Sequence, residues 1–540
     1  MPAEFRTAKD TLNRNLMERV AIGDMLRRRA RDSGNREALV EFIDGNRVAL
    51  TYREFNARVN QLVRGLRSKG LHQGDRLALM ASNRIDFLTV AFACYKAGLV
   101  LVPINFLQNP EDIRYNFEHA EVKAVIYEQA QESIAIACCQ RLDNIQLKVV
   151  IDGEAGQADA NLAQLIEGFD SGEIEDIVIC DRDGAQLLYT SGTTSRPKGV
   201  ETSHLALYFA SLSNPLSMGF DRFHAHLVVL PVFHSAAQCL CLCTLQTGGK
   251  LVLQQSFDPT AVVDLLESEK IECTALLPMM WKALLNVPDL SARDFSHLRS
   301  GIYAMAPMDS ESLKKLREAF DCELHLASGQ TEFSPAACLH YDSTPTEFGE
   351  GNYWGVPTIA TDQAILDEKG NELPPGQQGE ICWRGPQVMS RYLNNAEATD
   401  EVSQFGWHHS GDLGMIDSEG QLLFVDRKKD MIKSGGENVP SCKVEQVLLG
   451  IPGVIQAAVF GVPHPRWSEA VCAALQLAPG AALEEEQVIA HCKQHLGRFQ
   501  VPKRVLFVDA LPLTGTGKVR KTELRQQYAE LFSEETTAWQ

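Results

Sequence analysis

Short apolar runs alternate with helical patterns from about residue 36 to 330, and this alternation limits the fold more than any other feature. Arg76–Ala81 reads as a strand, Asp86–Ala97 as a helix and Leu99–Ile104 as the next strand. The strand signal recurs at Ala124–Tyr127, Lys148–Ile151, Gln186–Tyr189, His226–Leu230, Lys250–Leu253 and Glu323–Leu326. Strands separated by helices pair in parallel and are covered by those helices, so the expected class is α/β. From about residue 362 the pattern changes. Gln363–Asp367 and Gly379–Trp383 flank the turn-rich Glu368-Lys369-Gly370-Asn371, which predicts a hairpin in a β-barrel layer. A last segment from about 428 has its own βα pattern. Its predicted helices are Lys443–Leu449 and Glu485–Leu496, and its predicted strands Gln456–Val462, Ala470–Leu477 and Arg504–Val508. No low-complexity linker precedes it, so the boundary near Arg427 reads as a tight hinge.

The chain has 540 residues, enough for about three or four structural units and for several cores without disulfide or metal staples. Seventy acidic against 51 basic residues give a net charge of −19. Such a surface repels phosphate backbones, which argues against non-specific nucleic-acid binding. Phe87–Ile104 is the most apolar stretch, but Lys96 interrupts it and it is too short to span a bilayer. The N-terminus lacks the basic start and apolar core of a secretory signal. Arg27, Arg28, Arg29 and Arg31 read as a solvated helix face beside Glu18, Asp24 and Asp32. Fourteen cysteines without CxxC spacing do not make a disulfide scaffold. Cys239, Cys241 and Cys243 alternate, which predicts one face of a buried strand. His491 and His495 share a face of a predicted helix without further ligands for zinc. The expected profile is a reduced, soluble, cytoplasmic protein.

The strongest local signal is Leu187-Leu188-Tyr189-Thr190-Ser191-Gly192-Thr193-Thr194-Ser195-Arg196-Pro197-Lys198-Gly199. An apolar strand runs into small and hydroxylated residues whose backbone N–H groups and hydroxyls can approach phosphate oxygens, and Lys198 adds a point charge. The spacing does not fit GxxxxGK[ST], which excludes the usual P-loop nucleotidase. Five further stretches follow: Pro231-Val232-Phe233-His234; Ser328-Gly329-Gln330-Thr331-Glu332; Ser410-Gly411-Asp412; Asp426-Arg427-Lys428-Lys429-Asp430; and Pro512-Leu513-Thr514-Gly515-Thr516-Gly517-Lys518.

Together, and in this order, the six stretches resemble the adenylate-forming superfamily of acyl-CoA synthetases, luciferases and peptide-synthetase adenylation domains, over nearly the whole chain. The resemblance implies a large N-terminal domain, residues 1–428, of two helix-covered sheets plus a β-barrel. A small mobile C-terminal α+β domain, residues 429–540, would cap it and swing about Lys429. It implies ATP, Mg²⁺ and coenzyme A as cosubstrates. A carboxylate attacks the α-phosphate of ATP, and cations and oriented amides must offset the repulsion between two anions. By the resemblance, Thr190–Lys198 wraps the phosphates, Glu332 with Thr193 holds Mg²⁺, and Ser328, Gly329, Gln330 and Thr331 lie along the nucleotide. Asp412 and Arg427 meet the ribose. Lys518 bridges the attacking carboxylate and the α-phosphate. After the swing, Lys433-Ser434-Gly435-Gly436-Glu437 replaces Lys518 and its glycines admit the pantetheine arm. Lys433, Arg466, Arg498 and Lys503 are candidates for the CoA nucleotide phosphates.

The residue after Phe233 is His234, where peptide-synthetase relatives usually carry the Asp that holds a substrate ammonium, which disfavours an amino acid. Tyr208, Phe233, His234, Tyr303, Ala304, Met305 and Ala306, with Ser328, are the expected acyl wall. Met305 stands where relatives often have glycine, and the preferred acid is a medium or longer aliphatic one, with an aryl acid second. A carrier-protein pantetheine is the alternative acceptor, a nucleotide- or acyl-binding regulator the non-enzymatic alternative, and a homodimer is left open. Ser195, Ser328, Arg391 and Lys443 depart from common family residues, and none removes a group the chemistry requires.

Overall fold

The apolar stretch around Lys96 folds as the helix Ile85–Ala97 followed by the strand Val100–Pro103, in a computed structural model that describes residues 8–140, 142–190, 196–304, 308–341, 343–344, 346–347, 351–513 and 519–533. Gly98 turns the chain between them at φ 67°, a backbone shape that costs glycine little. Lys96 is buried, and its ammonium donates to Asn56 Oδ1 (2.6 Å), Asn60 Oδ1 (2.7 Å) and Glu173 Oε2 (3.0 Å). A buried cation so surrounded fastens the helix Tyr52–Ser68 and the 170s loop to one side of the first sheet.

Among the described residues the strands form sheets of eight, thirteen and five. The first runs in the order Arg391–Tyr392, Lys198–Ser203, Gly184–Thr190, Val100–Pro103, Arg76–Met80, Ala124–Tyr127, Leu147–Val150 and Ala160–Asn161. It is parallel from Gly184–Thr190 onward. The second is parallel from Glu37–Ile43 through Lys250–Leu253, Ala225–Val228, Cys273–Leu276 and Ser300–Ala304 to Glu323–Gly329. It then turns antiparallel at Ala336–Tyr341 and Tyr353–Pro357. The strands expected as a barrel layer, Asp362–Leu366 and Gly379–Arg384, form the predicted hairpin and, with His408–Ile416 and Leu422–Arg427, continue that antiparallel run. One large core cluster joins the two helix-covered sheets, with Leu77 and Leu101 from the first and Leu251 and Ile302 from the second. Between them Asn83 donates to the carbonyls of Leu230 (3.1 Å) and Gln254 (3.0 Å) and accepts from the Val232 amide (2.9 Å), which sets the turn that leads to His234.

The last sheet packs the helices Ser441–Leu449 and Glu485–His495 over Val454–His464, Ser468–Leu477 and Arg504–Phe507, close to the predicted elements. Its junction with the preceding strand is hydrogen-bonded. Asp426 accepts from the Ser441 amide and hydroxyl, while Lys521 reaches Glu445 (2.7 Å) and Ser441 Oγ (2.7 Å). Among the described residues no helix is long and apolar enough to cross a membrane, and no cluster of His, Cys, Asp and Glu could hold a metal ion.

The cysteine run corrects the sequence reading. Cys239, Cys241 and Cys243 lie in the helix Ser235–Thr247, not in a strand. Every flank of this helix is buried, so it lacks the apolar stripe that marks a surface helix, and the alternation imitates a period of two. Cys239 and Cys243 lie one turn apart on one face, with Sγ atoms 3.9 Å from each other, while Cys241 joins the main core cluster.

Among the buried imidazoles, His204, His325 and His408 are each pushed down to about 4 by burial, and His226 to about 3. In the unfolded chain a histidine titrates near 6.5, so between these values the unfolded state binds more protons and stability rises with pH. Neither ring nitrogen of His325 has a hydrogen-bond partner among the described residues. His325→Phe should therefore lose about 2 kcal/mol less stability than the parent between about pH 7 and pH 5, checked by urea unfolding at both values.

Candidate active site

The six stretches lie far apart in sequence, and three of them meet at the end of the strand Glu323–Gly329. Its last residue, Gly329, passes so close to the following loop that a Cβ there would lie 1.8 Å from the Pro335 carbonyl oxygen, so only glycine fits. The next residue, Gln330, reaches across to the antiparallel strands: its amide donates to the Ser410 carbonyl (2.6 Å) and to Asp412 Oδ2 (3.0 Å). Asp412 and Arg427 are cross-strand partners, with Arg427 Nε 3.8 Å from Asp412 Oδ1. The side-chain oxygen Oε1 of Gln330 faces His408 Nε2 at 3.4 Å. The buried His408 ring is held neutral, so it places no second cation beside Arg427.

Glu332 follows in a short 3₁₀ turn, Thr331–Phe333. One carboxylate oxygen accepts from the Tyr392 hydroxyl at 2.8 Å, and the Glu332 carbonyl accepts from the Met389 amide at 2.8 Å. Lys198 Nζ lies 4.7 Å from the centre of the Tyr392 ring. A cation over an aromatic face is attracted to it, and so Tyr392 ties the lysine of one stretch to the carboxylate of another. Burial, and then the Glu332 charge, push the Tyr392 phenol up, so it stays a donor to Glu332. Thr190 and Lys198 face each other as the last pair of the hairpin Gly184–Thr190/Lys198–Ser203. Ser191, Gly192, Thr193, Thr194 and Ser195, at its tip, lie outside the described residues.

The expected acyl residues do not form one set. His234 precedes the helix Ser235–Thr247, and its ring lies 5.8 Å from that of Phe233, which packs edge-on against Phe106 at 5.3 Å. Tyr208 accepts from Arg28 Nη2 at 3.3 Å. Tyr303 belongs to the core cluster of Leu276 and Leu326, whereas Phe233 and Ile302 belong to the other, because neighbours along a strand face opposite sides. Ala304 is buried at the strand end, and Met305 and Ala306 lie outside the described residues.

Beyond Arg427, Lys429 is exposed, and partial desolvation of its ammonium followed by the Arg427 charge pushes it down. Lys433, Ser434, Gly435, Gly436 and Glu437 form the hairpin Ile432–Ser434/Glu437–Val439, turned by the glycines at φ 64° and 88°. The Gly435 amide donates to the Trp467 carbonyl at 2.8 Å. Trp467 stacks on His464 with ring centres 4.2 Å apart, and Lys503 Nζ lies 4.9 Å from its ring. Lys518 lies outside the described residues, between Leu513 and Val519, which form an antiparallel bridge. Tyr392 and Trp467 were missed in the sequence because no motif marks either; Glu332 is 60 positions from Tyr392, and Lys503 is 36 positions from Trp467.

Residues 26–393 match the AMP-binding enzyme family, and residues 443–518 match the AMP-binding enzyme C-terminal domain. The chain belongs to this family. It is 34% identical over 515 residues to a feruloyl-CoA synthase from Amycolatopsis sp, which covers 95% of this chain and 100% of that protein. It is 32% identical over 512 residues to the long-chain-fatty-acid–CoA ligase FadD13 of Mycobacterium tuberculosis, with 94% and 98% covered. The ATP-bound crystal structure of MatB from Rhodopseudomonas palustris superposes with a TM-score of 0.84 at 27% identity, covering 94% of this chain and 99% of that one. The chain is thus an AMP-forming acid–thiol ligase, an enzyme that uses ATP, Mg²⁺ and coenzyme A.

Proposed function

We propose that this enzyme activates a medium or longer aliphatic acid as its acyl-adenylate and transfers the acyl group to coenzyme A. The observation that carries the adenylation reading is the convergence of Lys198, Glu332, Gln330 and Asp412, from three separate stretches, through Tyr392 and two hydrogen bonds. Asp412 accepts from ribose hydroxyls and Arg427 supports it; Lys198, with Thr190–Ser195, binds the outer phosphates. Only one oxygen of Glu332 is engaged by Tyr392, and the carboxylate is a hard oxygen donor suited to Mg²⁺. Glu332 and Thr193 would hold that ion, which when bound neutralises phosphate oxygens. Lys518 steadies the acid carboxylate as one of its oxygens attacks the α-phosphorus and pyrophosphate departs. His234 and Phe233 then border the acyl carbonyl.

The second step needs the CoA thiol at that carbonyl. We assign residues 1–428 to the adenylating domain and 429–540 to the mobile one, with Lys429 as hinge. Rotation there parts Asp426 from Ser441, exchanges Lys518 for the Gly435-Gly436 turn, and gives the pantetheine arm a path without side chains. Trp467, with Lys503 and Arg466 against its ring, offers an aromatic face and cations to the adenine and phosphates of CoA. A carrier-protein pantetheine lacks that nucleotide, so the platform favours CoA as acceptor. Synthesis of acyl-CoA from straight-chain acids of increasing length, compared with aryl acids, tests the acid assignment; a preference for aryl acids throughout would overturn it.

Lys429→Pro tests the hinge. Proline holds φ near −65° and removes an amide donor, so it permits at most one of two backbone states at that position. Adenylation is expected to stay within about tenfold of the parent while the CoA step falls by about 100-fold. The two half-reactions are to be measured separately, with a melting curve to exclude a general loss of stability; equal losses in both steps would contradict a swing centred on Lys429.

A further inference from the structure

We propose that a small cavity between the helices His204–Ser217 and Ser235–Thr247 is the far end of the acid pocket, and that Gln238 there selects an acid bearing an uncharged hydroxyl group. This rests on the ligase reading and narrows it. Gln238 is 5% exposed, and neither its amide nitrogen nor its oxygen has a hydrogen-bond partner among the described residues. Buried side-chain amides are almost always paired, and leaving both ends unmet is costly, so the absence of a protein partner calls for another. Two polar neighbours are engaged elsewhere: Gln186 Oε1 accepts from the Tyr95 hydroxyl at 3.0 Å, and Cys239 Sγ accepts from Asn214 Nδ2 at 3.1 Å. The Ser334 hydroxyl, which also lines the cavity, has no partner among the described residues either.

The cavity reaches the residue beside Glu332. Ser235 and Thr331 both line it, with their hydroxyl oxygens 3.2 Å apart, and Thr331 is the residue before Glu332. An acid whose carboxylate lies beside Glu332 thus points its chain along Ser235 toward Gln238, one helical turn further on. The remaining walls, including Leu188, Leu207 and Leu242, are apolar, and the free space of about 10 Å³ is that of one hydroxyl-sized group. No charged side chain lines the cavity among the described residues, so it offers nothing to a second carboxylate or an ammonium. Gln238 presents a donor and an acceptor together, and a hydroxyl is the small neutral group that can answer either.

The test uses the purified full chain and straight-chain acids of increasing length, each paired with its monohydroxy analogues, and reads kcat/KM for acyl-CoA formation. The parent enzyme should prefer one hydroxy acid to its unsubstituted partner by about tenfold or more, since a site built to pair a hydroxyl disfavours the analogue that lacks it. Gln238→Leu and the closer in shape Gln238→Met should each bring that ratio to within about twofold, mainly through the KM of the hydroxy acid, whereas a purely structural role would lower both acids alike. Melting curves identify a variant that is misfolded, and the remaining one then decides. Equal use of plain and hydroxy acids by the parent, or an unchanged ratio in a folded variant, would overturn the assignment of Gln238. Failure of the parent to make acyl-CoA from any acid would overturn the ligase reading itself.

Discussion

Glu332→Ala should lower acid-dependent pyrophosphate release by about 1,000-fold or more while the protein stays folded. Charge develops on the phosphate oxygens as the acid attacks, and removing one preorganised group at such a point typically costs about 100- to 1,000-fold; loss of a metal carboxylate adds to this. The structural cost is small by comparison. The Tyr392 hydroxyl loses its acceptor at 2.8 Å, worth about 1–2 kcal/mol, and the 3₁₀ turn keeps its backbone bond to Met389. Glu332→Gln separates the two effects, because its amide oxygen still accepts from Tyr392 but carries no charge. Both variants should be equally impaired in pyrophosphate release, and Glu332→Gln should melt with the parent. Near-parental release in either would remove Glu332 from the chemistry.

Lys518→Ala should cripple the first half-reaction by about 100- to 1,000-fold and leave thioester formation from supplied acyl-adenylate within about tenfold of the parent. The attacking carboxylate and the α-phosphate are both anionic, and a single positioned ammonium between them acts only while the two approach. Once the mixed anhydride exists the repulsion is gone, and the thiol attacks a neutral carbonyl. Rapid-quench measurement of each step distinguishes this from a general defect. Equal losses in both would mean that Lys518 serves more than adenylation.

Local patterns carried much of the fold. Apolar runs bounded by turns marked many strands of the helix-covered sheets and of the last sheet to within a few residues, because strands buried on both faces leave long hydrophobic runs, but Glu37–Ile43, Cys273–Leu276 and Ser300–Ala304 were not read. The same logic failed at Cys239–Cys243, where a helix buried on every flank leaves no stripe to read. The candidate site residues were chosen through their place in the six stretches, and residue spacing by itself could not have joined them: Gln330 and Asp412 are 82 positions apart. Tyr392 and Gln238 had no mark at all, since the significance of each lies in what the fold brings to it. Tyr303 was grouped with Phe233 although the alternation of a strand turns it to the opposite core.

The most direct test of the account is to incubate the enzyme with ATP, Mg²⁺ and a panel of carboxylic acids, first without and then with CoA, and to identify every product. The account predicts acid-dependent release of pyrophosphate and an enzyme-bound acyl-adenylate in the absence of CoA, followed on its addition by AMP and acyl-CoA in equal amounts. Formation of ADP and inorganic phosphate, or pyrophosphate release that no acid stimulates, would contradict it.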